Sequence, residues 1–304
     1  MIVITGAGPI GTTIARQYIA AGTSVRVLTR SGSGPDHPLV ERRTVDVTDL
    51  DAVRAAVEDT TVIHHCVHAS QYDAEVWERE LPPMESVILE AAAEVDAVVV
   101  FPESLYAFDL ARQPVTEHTP VVATSGKPGV RAHLLAARAA SPARTISVVA
   151  SDYFGPGAGA NAHAGDRMVN PATTGRTVRP LADADQPHSW TYLPDLAAAM
   201  IRAAELPVAP DRLVLAPTSA PRTQRELADA YARAAGRDRA KVKPLRAGLI
   251  RLIGRVHRGT AGLAEMLYLF TQPQVMDSSA SEQLLSLSPT PWKAAVEATV
   301  AASE

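Results

Sequence analysis

The first residues of the chain form a strand pattern that runs directly into a glycine-rich turn and a helix. Three glycines at G-x-G-x-x-G spacing follow the apolar residues Met1–Ile4, and a second strand pattern, Ser24–Leu28, comes one strand–helix–strand unit later. In such a turn the first glycine allows the bend, the second lets a pyrophosphate approach the backbone, and the third lets the helix pack close to the strand. The spacing predicts a dinucleotide site, the alternative being a glycine-rich turn without a ligand. The residues expected to line it are Gly6, Gly8, Pro9, Ile10 and Gly11.

The end of the second strand indicates which dinucleotide is preferred. NAD sites usually place Asp or Glu there, about 20 residues past the glycines, to accept a hydrogen bond from the ribose 2′-hydroxyl. The segment Val25–Ser33 contains no carboxylate. Arg30 can pair with a 2′-phosphate, and Thr29 and Ser31 can supply hydroxyls to it. The sequence therefore favours NADP over NAD, the alternative being that Arg30 is only a solvated loop cation.

Length, charge and cysteine content narrow the class of protein. The chain has 304 residues, enough for one large domain or two medium ones, and its net charge of −4 gives no reason to expect nucleic acid or an acidic membrane as partner. The one cysteine, Cys66, excludes an internal disulfide framework. With no secretion-signal pattern before the first strand, we expect a cytoplasmic protein. The apolar stretch Leu249–Phe270 carries Arg251 and Arg255, which argues against a membrane span.

Strand and helix patterns alternate through the first half of the chain, which predicts strand–helix–strand units and a parallel sheet. Strands are expected at Ile2–Thr5, Ser24–Thr29, Arg43–Val47, Thr61–Cys66, Asp96–Phe101, Thr145–Ser151 and Arg212–Leu215. Helices are expected at Thr12–Ala21, Leu50–Glu58, Trp77–Val95, Gly129–Ala140 and Thr223–Gly236. We therefore expect an α/β fold, a Rossmann-like doubly wound parallel sheet with a smaller C-terminal substrate lobe. The dinucleotide-binding domain would be 1–155, with 190–217 returning to it, and the lobe would take most of 156–304.

Short motifs along the whole chain match one known family in order and interval. They are Thr5–Gly11, Asp46–Asp49, Val62–Val67, Leu105–Ala107, Thr116–Pro120, Asp152–Gly157 and Trp190–Ala197. With these motifs taken together, the chain resembles an extended short-chain dehydrogenase/reductase of the NAD(P)-dependent epimerase/dehydratase kind. The resemblance implies that Asp46 accepts from the adenine amino group and that the fourth strand ends beside the nicotinamide ribose. The further cofactor contacts it implies are Asp46, Val47, Cys66, Val67 and His68.

The catalytic motif of that family is absent. Its members use Tyr-x-x-x-Lys on the helix after the fifth strand, with the tyrosine as acid and base and the lysine lowering its pKa. The residues four positions before the four lysines are Ala123, Arg237, Arg239 and Pro289, none of which is a tyrosine. Aligning the predicted helix with the family places Gly129 at the tyrosine and His133 at the lysine. The chain therefore resembles the atypical members, which keep the cofactor fold and lose this motif.

Three residues remain as substitutes for the missing acid, besides a water molecule. Ser104 lies just past the fifth strand, although it can equally end that strand by bonding its own loop. Tyr106 can point into the cleft, although the matching tyrosine in the resembling enzymes mostly packs. His133 titrates in the right range, although it can also be an exposed helix residue. Tyr153, His188, Trp190 and Tyr192 are expected to flank the substrate, unless they only pack between the lobes.

A metal site is not expected at the histidines of the fourth strand. His64 and His65 are adjacent in a strand, so their side chains face opposite sides and cannot easily hold one ion. The function that the sequence favours is an NADP(H)-binding oxidoreductase or epimerase-like enzyme that acts on a small organic molecule. A homodimer is the oligomer considered for it. Two alternatives stay open: a non-redox cyclase or isomerase on the same fold, and a catalytically silent NADP-sensing or partner-binding protein.

Overall fold

A computed structural model describes residues 1–207 and 211–303, without the side chains of residues 258 and 259. The strands are β1 (Ile2–Thr5), β2 (Val25–Thr29), β3 (Val40–Thr44), β4 (Val62–His65), β5 (Val98–Ser104), β6 (Arg144–Ala150), β7 (Asp152–Phe154), β8 (Thr177–Val178), β9 (Trp190–Tyr192), β10 (Asp211–Leu215) and β11 (Lys241–Val242). The helices are α1 (Pro9–Ala20), α2 (Leu50–Val57), α3 (Ala74–Glu94), α4 (Gly126–Ala140), α5 (Asp166–Thr173), α6 (Leu193–Ala203), α7 (Gln224–Ala234), α8 (Ala247–Gly254), α9 (Arg258–Glu265), α10 (Ser279–Leu285) and α11 (Trp292–Ala301).

Seven of these strands form one parallel sheet in the order β10-β6-β5-β4-β1-β2-β3. The order reverses between β1 and β4, and ligands of doubly wound folds bind at such a switch point, outside the carboxyl ends of the strands. Apolar cores cover both faces of the sheet: α1 and α6 pack on one face, and α2, α3 and α4 on the other. The α/β, Rossmann-like fold expected from the sequence is confirmed.

Some element bounds differ from the sequence expectation for clear reasons. Helix α1 begins at Pro9, because proline needs no hydrogen-bond acceptor at the first helical position. Helix α4 begins at Gly126, three residues before the expected start, and Pro128 sits in its first turn for the same reason. Strand β3 is Val40–Thr44, because its register pairs Val40 with Val25 of β2.

The C-terminal part builds a third core beside the ends of β5 and β6. This core brings α5, α7, α11 and a 3₁₀ turn, Met266–Phe270, around Trp190 and Phe154. Two elements of the region belong to the large sheet layer: β10 pairs with β6, and α6 packs on α1. None of the described helices has both the length and the apolar character needed to cross a membrane.

Candidate functional site

The glycine-rich turn between β1 and α1 places its three glycines in three different surroundings. Gly6 has a φ of +87°, and a Cβ built on it would lie 3.0 Å from the carbonyl oxygen of Cys66. A Cβ on Gly11 would overlap the carbonyl oxygen of Gly6, so glycine is needed for α1 to lie so close to β1. A Cβ on Gly8 would meet no heavy atom of the described residues within 4 Å, its chain neighbours aside. The first and third glycines are packed inside, and the second faces open space.

The open side of this turn suits an anion. Gly8 caps α1, Pro9 takes its first position, and no acidic residue occurs in its first turn. The first N–H groups of a helix lack an intrahelical acceptor, so those of Ile10 and Gly11 can donate to a phosphate, and the helix dipole favours negative charge there. The residues present therefore fit the pyrophosphate of a dinucleotide.

The loop after β2 folds back on itself through hydroxyl groups. Thr29 donates its hydroxyl to the carbonyl oxygen of Ser33 at 3.0 Å, and Ser31 donates to the Ser33 hydroxyl at 3.0 Å. Arg30, between them, is exposed. This arrangement leaves a guanidinium and hydroxyls at the end of β2, where no carboxylate stands.

The loop after β3 carries Asp46 at the surface, with Val47 buried behind it. The Asp46 carboxylate accepts the Thr48 N–H at 3.0 Å and the Thr48 hydroxyl at 2.8 Å. These two bonds lower the pKa of Asp46, and the positive charge of Arg30 adds a smaller effect. Asp46 thus stays an ionised acceptor close to Arg30.

The two histidines of β4 point to opposite faces of the sheet, as strand alternation predicts. Nε2 of His64 lies 2.9 Å from the Tyr18 hydroxyl of α1, and Nδ1 of His65 lies 2.8 Å from Oγ1 of Thr5. Burial lowers the pKa of His64 to about 3 and that of His65 to about 4, so both are neutral near pH 7. No group of three or more potential metal ligands occurs among the described residues.

The residues after β4 lead from the opening turn towards α3. Cys66 and Val67 are half-buried, and burial raises the pKa of the Cys66 thiol. The His68 ring packs edge-on against Trp77, with centroids 4.7 Å apart. Desolvation, with a smaller contribution from the charge of Arg131, lowers the pKa of His68 to about 4. Arg131 of α4 therefore lies near the end of β4.

Two cations on the first turns of α4 face this region, and the sequence reasoning missed both. Lys127 is 0% exposed and Arg131 is 8% exposed. The Arg131 guanidinium lies 5.0 Å from the centre of the Trp77 ring, and its Nε has no hydrogen-bond partner among the described residues. Residues four apart share one helix face, so this spacing on the helix after β5 is the signal that could have found the pair.

The structure places His133 on the other side of α4. It lies two residues past Arg131, which is about 200° around the helix axis. It is exposed in an outer groove of about 610 Å³ between α3 and α4, beside Pro82 and Pro83. The buried face of α4 carries Lys127 and Arg131, whereas His133 faces the outer groove and solvent.

The start of α4 holds a carboxylate that comes from α9. The Lys127 backbone N–H donates to Oε1 of Glu265 at 2.8 Å, and Lys127 Nζ pairs with Oε2. Nζ also donates to the Gly262 carbonyl oxygen at 2.8 Å. Gly126 has a φ of +64°, and a Cβ there would overlap Glu265 Oε1. Both oxygens of one carboxylate are thus bound, one by the helix N–H and one by the ammonium.

Aromatic rings surround the two cations of α4. Lys127 Nζ lies 4.4 Å from the centre of the Tyr72 ring, and Trp77 stacks on Tyr106 with centroids 6.3 Å apart. The hydroxyls of Tyr72 and Tyr106 are 2.9 Å apart. Burial raises the pKa of both phenols, so both stay protonated at neutral pH. We call Tyr72, Trp77, Tyr106, Lys127 and Arg131 the α4 chamber.

Ser104 ends β5 above a buried network of charges. Its N–H donates to Glu103 Oε1 at 2.7 Å, and its hydroxyl lies 3.4 Å from the same oxygen. Oε2 of Glu103 accepts from Arg138 at 2.9 Å, and Arg138 also donates to Glu85 at 2.6 Å. Glu103 Oε1 lies 3.6 Å from Arg131 Nε. The network ties α3, α4 and β5 together and sets the position of Ser104.

A further carboxylate, Asp152 of β7, lies near the phenols of the chamber. His188 Nε2 is 2.8 Å from Asp152 Oδ2. Burial raises the pKa of Asp152, but the hydrogen bond and charge of His188 outweigh it, and the net pKa is lowered. The Asp152 charge adds to the raised pKa of Tyr72 and Tyr106, behind the larger effect of burial. Asp152 was not among the sequence candidates.

The four residues expected to flank the substrate lie in two different environments. His188 and Trp190 are 1% and 2% exposed, and their rings pack together with centroids 4.3 Å apart. The Trp190 indole N–H donates to the Arg222 carbonyl oxygen at 2.8 Å. Tyr153 and Tyr192 are half-buried. His188 and Trp190 are therefore packed inside the C-terminal core, and Tyr153 and Tyr192 are the more accessible pair.

Comparison with known proteins adds a family and a set of similar folds. The sequence matches the family model described as "NAD dependent epimerase/dehydratase family" over residues 2–216. No curated protein matches the chain. It is similar to a dTDP-glucose 4,6-dehydratase from Streptomyces venezuelae with NAD bound (TM-score 0.80, 16% identity, 99% of this chain and 96% of that one). It is also similar to a UDP-glucose 4-epimerase from Thermus thermophilus in complex with NAD (TM-score 0.75, 19% identity, 99% and 98%). At these identities the likeness shows the shared fold.

Proposed function

The chain belongs to the NAD dependent epimerase/dehydratase family, and we propose that it is an NADP(H)-binding enzyme of the short-chain dehydrogenase/reductase type that acts on a small organic molecule. A bound nicotinamide dinucleotide supplies or accepts a hydride. The residues of the chain hold the phosphates, orient the substrate and move a proton. The observation that carries the proposal is the open space beside Gly8 at the start of α1.

The proposed preference for NADP differs from the nucleotide in the similar structures named above, which carry NAD, and it rests on the end of β2 in this chain. Arg30 is exposed at the end of β2, between the hydroxyls of Thr29 and Ser31. A guanidinium pairs well with a 2′-phosphate, whereas a ribose 2′-hydroxyl usually pairs with a carboxylate at the end of β2, and Val25–Ser33 contains none.

Proton transfer is assigned to Tyr106. Its hydroxyl is hydrogen-bonded to that of Tyr72, which is 41% exposed and so connects the pair to solvent. Burial raises the pKa of Tyr106, so the phenol can give up its proton only where a neighbouring positive charge lowers that pKa, and Arg131 is placed to do so. Ser104 is the second candidate, because its hydroxyl lies at the end of β5 where ligands of this fold bind. Arg131, near the end of β4, would hold the ribose in place of the family's lysine.

A second candidate function has one observation in its favour. Glu265 fills the start of α4 with the chain's own carboxylate, which suits a catalytically silent NADP-binding protein as well as a closed enzyme. The non-redox alternative, a cyclase or isomerase, would leave the space beside Gly8 without a functional ligand.

Nucleotide titration followed by a turnover assay separates these functions. We expect NADPH fluorescence to change on binding, with NADPH bound more tightly than NADH, and NADPH to be consumed with members of a panel of aldehydes and keto acids. Tight binding without turnover on a broad panel would favour the silent protein. Absence of binding to any nicotinamide nucleotide would contradict the proposal.

Two further proposals concern the setting of the enzyme. The outer groove between α3 and α4, lined by Pro82, Pro83 and His133, is the surface proposed for a homodimer. Light scattering on the purified protein tests it, and a monomer at all concentrations would contradict it. A cytoplasmic location is proposed from the single half-buried cysteine, Cys66.

A further inference from the structure

The contact between α4 and Glu265 has the features of a binding site occupied by part of the chain. One oxygen of the Glu265 carboxylate accepts the Lys127 backbone N–H, and the other pairs with Lys127 Nζ. Gly126 leaves room for this carboxylate where any other residue would place a Cβ against it. A helix N–H, an ammonium and the absence of a side chain together form a receptor for a carboxylate, whatever molecule carries it.

The ammonium is held where it needs a partner. Lys127 is completely buried, and a buried charge is stable only when it is paired. Its neighbours are the Tyr72 ring at 4.4 Å and the Gly262 carbonyl oxygen at 2.8 Å, neither of which carries a negative charge. If Glu265 leaves, another anion must therefore take its place or water must reach the ammonium.

The two helices before and around Glu265 are anchored differently. Among its described residues α8 buries only Ile250, and Leu252 and Val256 are 60% and 89% exposed. Helix α9 is fixed to the C-terminal core, because Leu263 packs against that core and Met266, directly after Glu265, is 1% exposed. Release of the carboxylate from Lys127 is therefore a movement of the Glu265 side chain, and its pair with Lys127 is the contact that opposes this movement.

We propose that Glu265 stands in for a carboxylate of the substrate, which replaces it at Lys127 and Gly126 when the Glu265 side chain turns away from α4. The substrate class is a flat carbonyl compound with a carboxylate, such as an aryl keto acid. The ring of Tyr72, which is 41% exposed and lies 4.4 Å from Lys127 Nζ, would face its flat part. The inference rests on the proposed function, because it takes the α4 chamber to be the substrate site.

Benzoate and its neutral analogue benzamide test the exchange on the whole chain by calorimetry. Replacing Glu265 by glutamine (E265Q) removes the internal carboxylate while keeping its shape. We expect E265Q to bind benzoate at least about tenfold more tightly than the unchanged protein, with no gain for benzamide. The matched control is E297Q, which removes the same charge from an exposed glutamate of α11 and should leave benzoate binding unchanged.

A double variant locates the receptor. Adding Lys127→Met to E265Q should abolish the gain for benzoate, and adding Gly126→Ala instead should do the same by filling the space with a methyl group. Equal benzoate affinity in E265Q and the unchanged protein would overturn the proposal, as would a gain that survives Lys127→Met. Thermal melting of each variant confirms that it is folded.

Failure here is distinguishable from failure of the proposed function. NADPH binding reports on the turn at Gly8, and benzoate binding reports on the start of α4. NADPH binding with no benzoate gain in E265Q overturns the carboxylate receptor alone. A benzoate gain without any nucleotide binding supports the receptor and overturns the dinucleotide enzyme.

Discussion

Two helix starts face the carboxyl ends of the sheet, and they are built in opposite ways. At α1, Gly8 opens onto empty space and no acidic residue is near the first turn. At α4, Gly126 leaves room that the Glu265 carboxylate already fills. Both helix starts have a glycine beside N–H groups that lack an intrahelical acceptor. The start of α1 is open to an external anion, whereas the start of α4 already binds a carboxylate of the chain.

The two helices are also fixed to the sheet by different means. Helix α1 is held by close contact, because Gly11 brings its backbone against Gly6. Helix α4 is held by charge, because buried Arg138 joins Glu85 of α3 and Glu103 of β5. An added methyl group would therefore destabilise the packing of α1, and loss of a charged partner would destabilise the packing of α4. The comparison therefore predicts different kinds of damage in the two halves of the site.

The largest effect is expected from Arg138→Met. It removes the cation that bridges Glu85 and Glu103, leaving Glu103 only the longer contact to Arg131, and loss of one partner of a buried pair costs about 3–5 kcal/mol of unfolding free energy. Urea unfolding measures the loss. The control is Arg54→Met, because Arg54 also pairs with two glutamates but at the surface, where water screens the charges and we expect a much smaller loss. Equal losses in the two variants would contradict the account of how α4 is held.

The two glycines of the first helix start should separate binding from folding. Gly11→Ala places a methyl group against the Gly6 carbonyl oxygen and should cost about 2–3 kcal/mol of stability. Gly8→Ala meets no neighbour, so its stability should fall by less than about 1 kcal/mol. Its methyl group occupies the space proposed for the pyrophosphate, so NADPH affinity should drop about a hundredfold. Thermal melting and NADPH titration of both variants check this, and an unchanged affinity in Gly8→Ala would show that the phosphates lie elsewhere.

The difference between the two helix starts also explains why the sequence predicts the site at α1 and not the one at α4. The roles of Gly6, Gly8 and Gly11 depend on residues a few positions apart, so their spacing alone predicts the turn and the fold around it. The second helix start depends on Glu265, which is 138 residues from Lys127 in the chain. No local pattern predicts such a contact. The start of α4 was predicted three residues late, at Gly129 instead of Gly126, because Pro128 lies within the first turn, where a helix tolerates proline.

The two buried histidines of β4 should make the free energy of unfolding depend on pH. His64 packs on α1 and His65 lies on the α3 side, with pKa values lowered to about 3 and about 4 from 6.5. The unfolded chain takes up protons below pH 6.5 that the folded histidines cannot, so the stability present above that pH is lost as the pH falls. By pH 5 each histidine should cost about 2 kcal/mol.

Urea unfolding between pH 7.5 and pH 5 measures this loss. The variant His65→Gln cannot titrate at that position and keeps a polar group beside Thr5, so it should show about half the pH slope of the unchanged protein. A flat profile between these pH values would mean that the two imidazoles reach solvent in the folded protein.

The smallest effect is expected at the surface of the cofactor half, from Arg30→Asp. An aspartate there repels a 2′-phosphate and can accept from a 2′-hydroxyl, so NADPH affinity should fall by about tenfold or more while NADH affinity holds or rises. Titration of both nucleotides measures the ratio, and Arg43→Asp, a charge change on β3 in an ion pair with Glu41, serves as the control. Equal weakening of NADPH and NADH would mean that Arg30 acts only through the general charge of this surface. A changed ratio would place the nucleotide preference in one exposed side chain, in contrast to the buried pair that fills the second helix start.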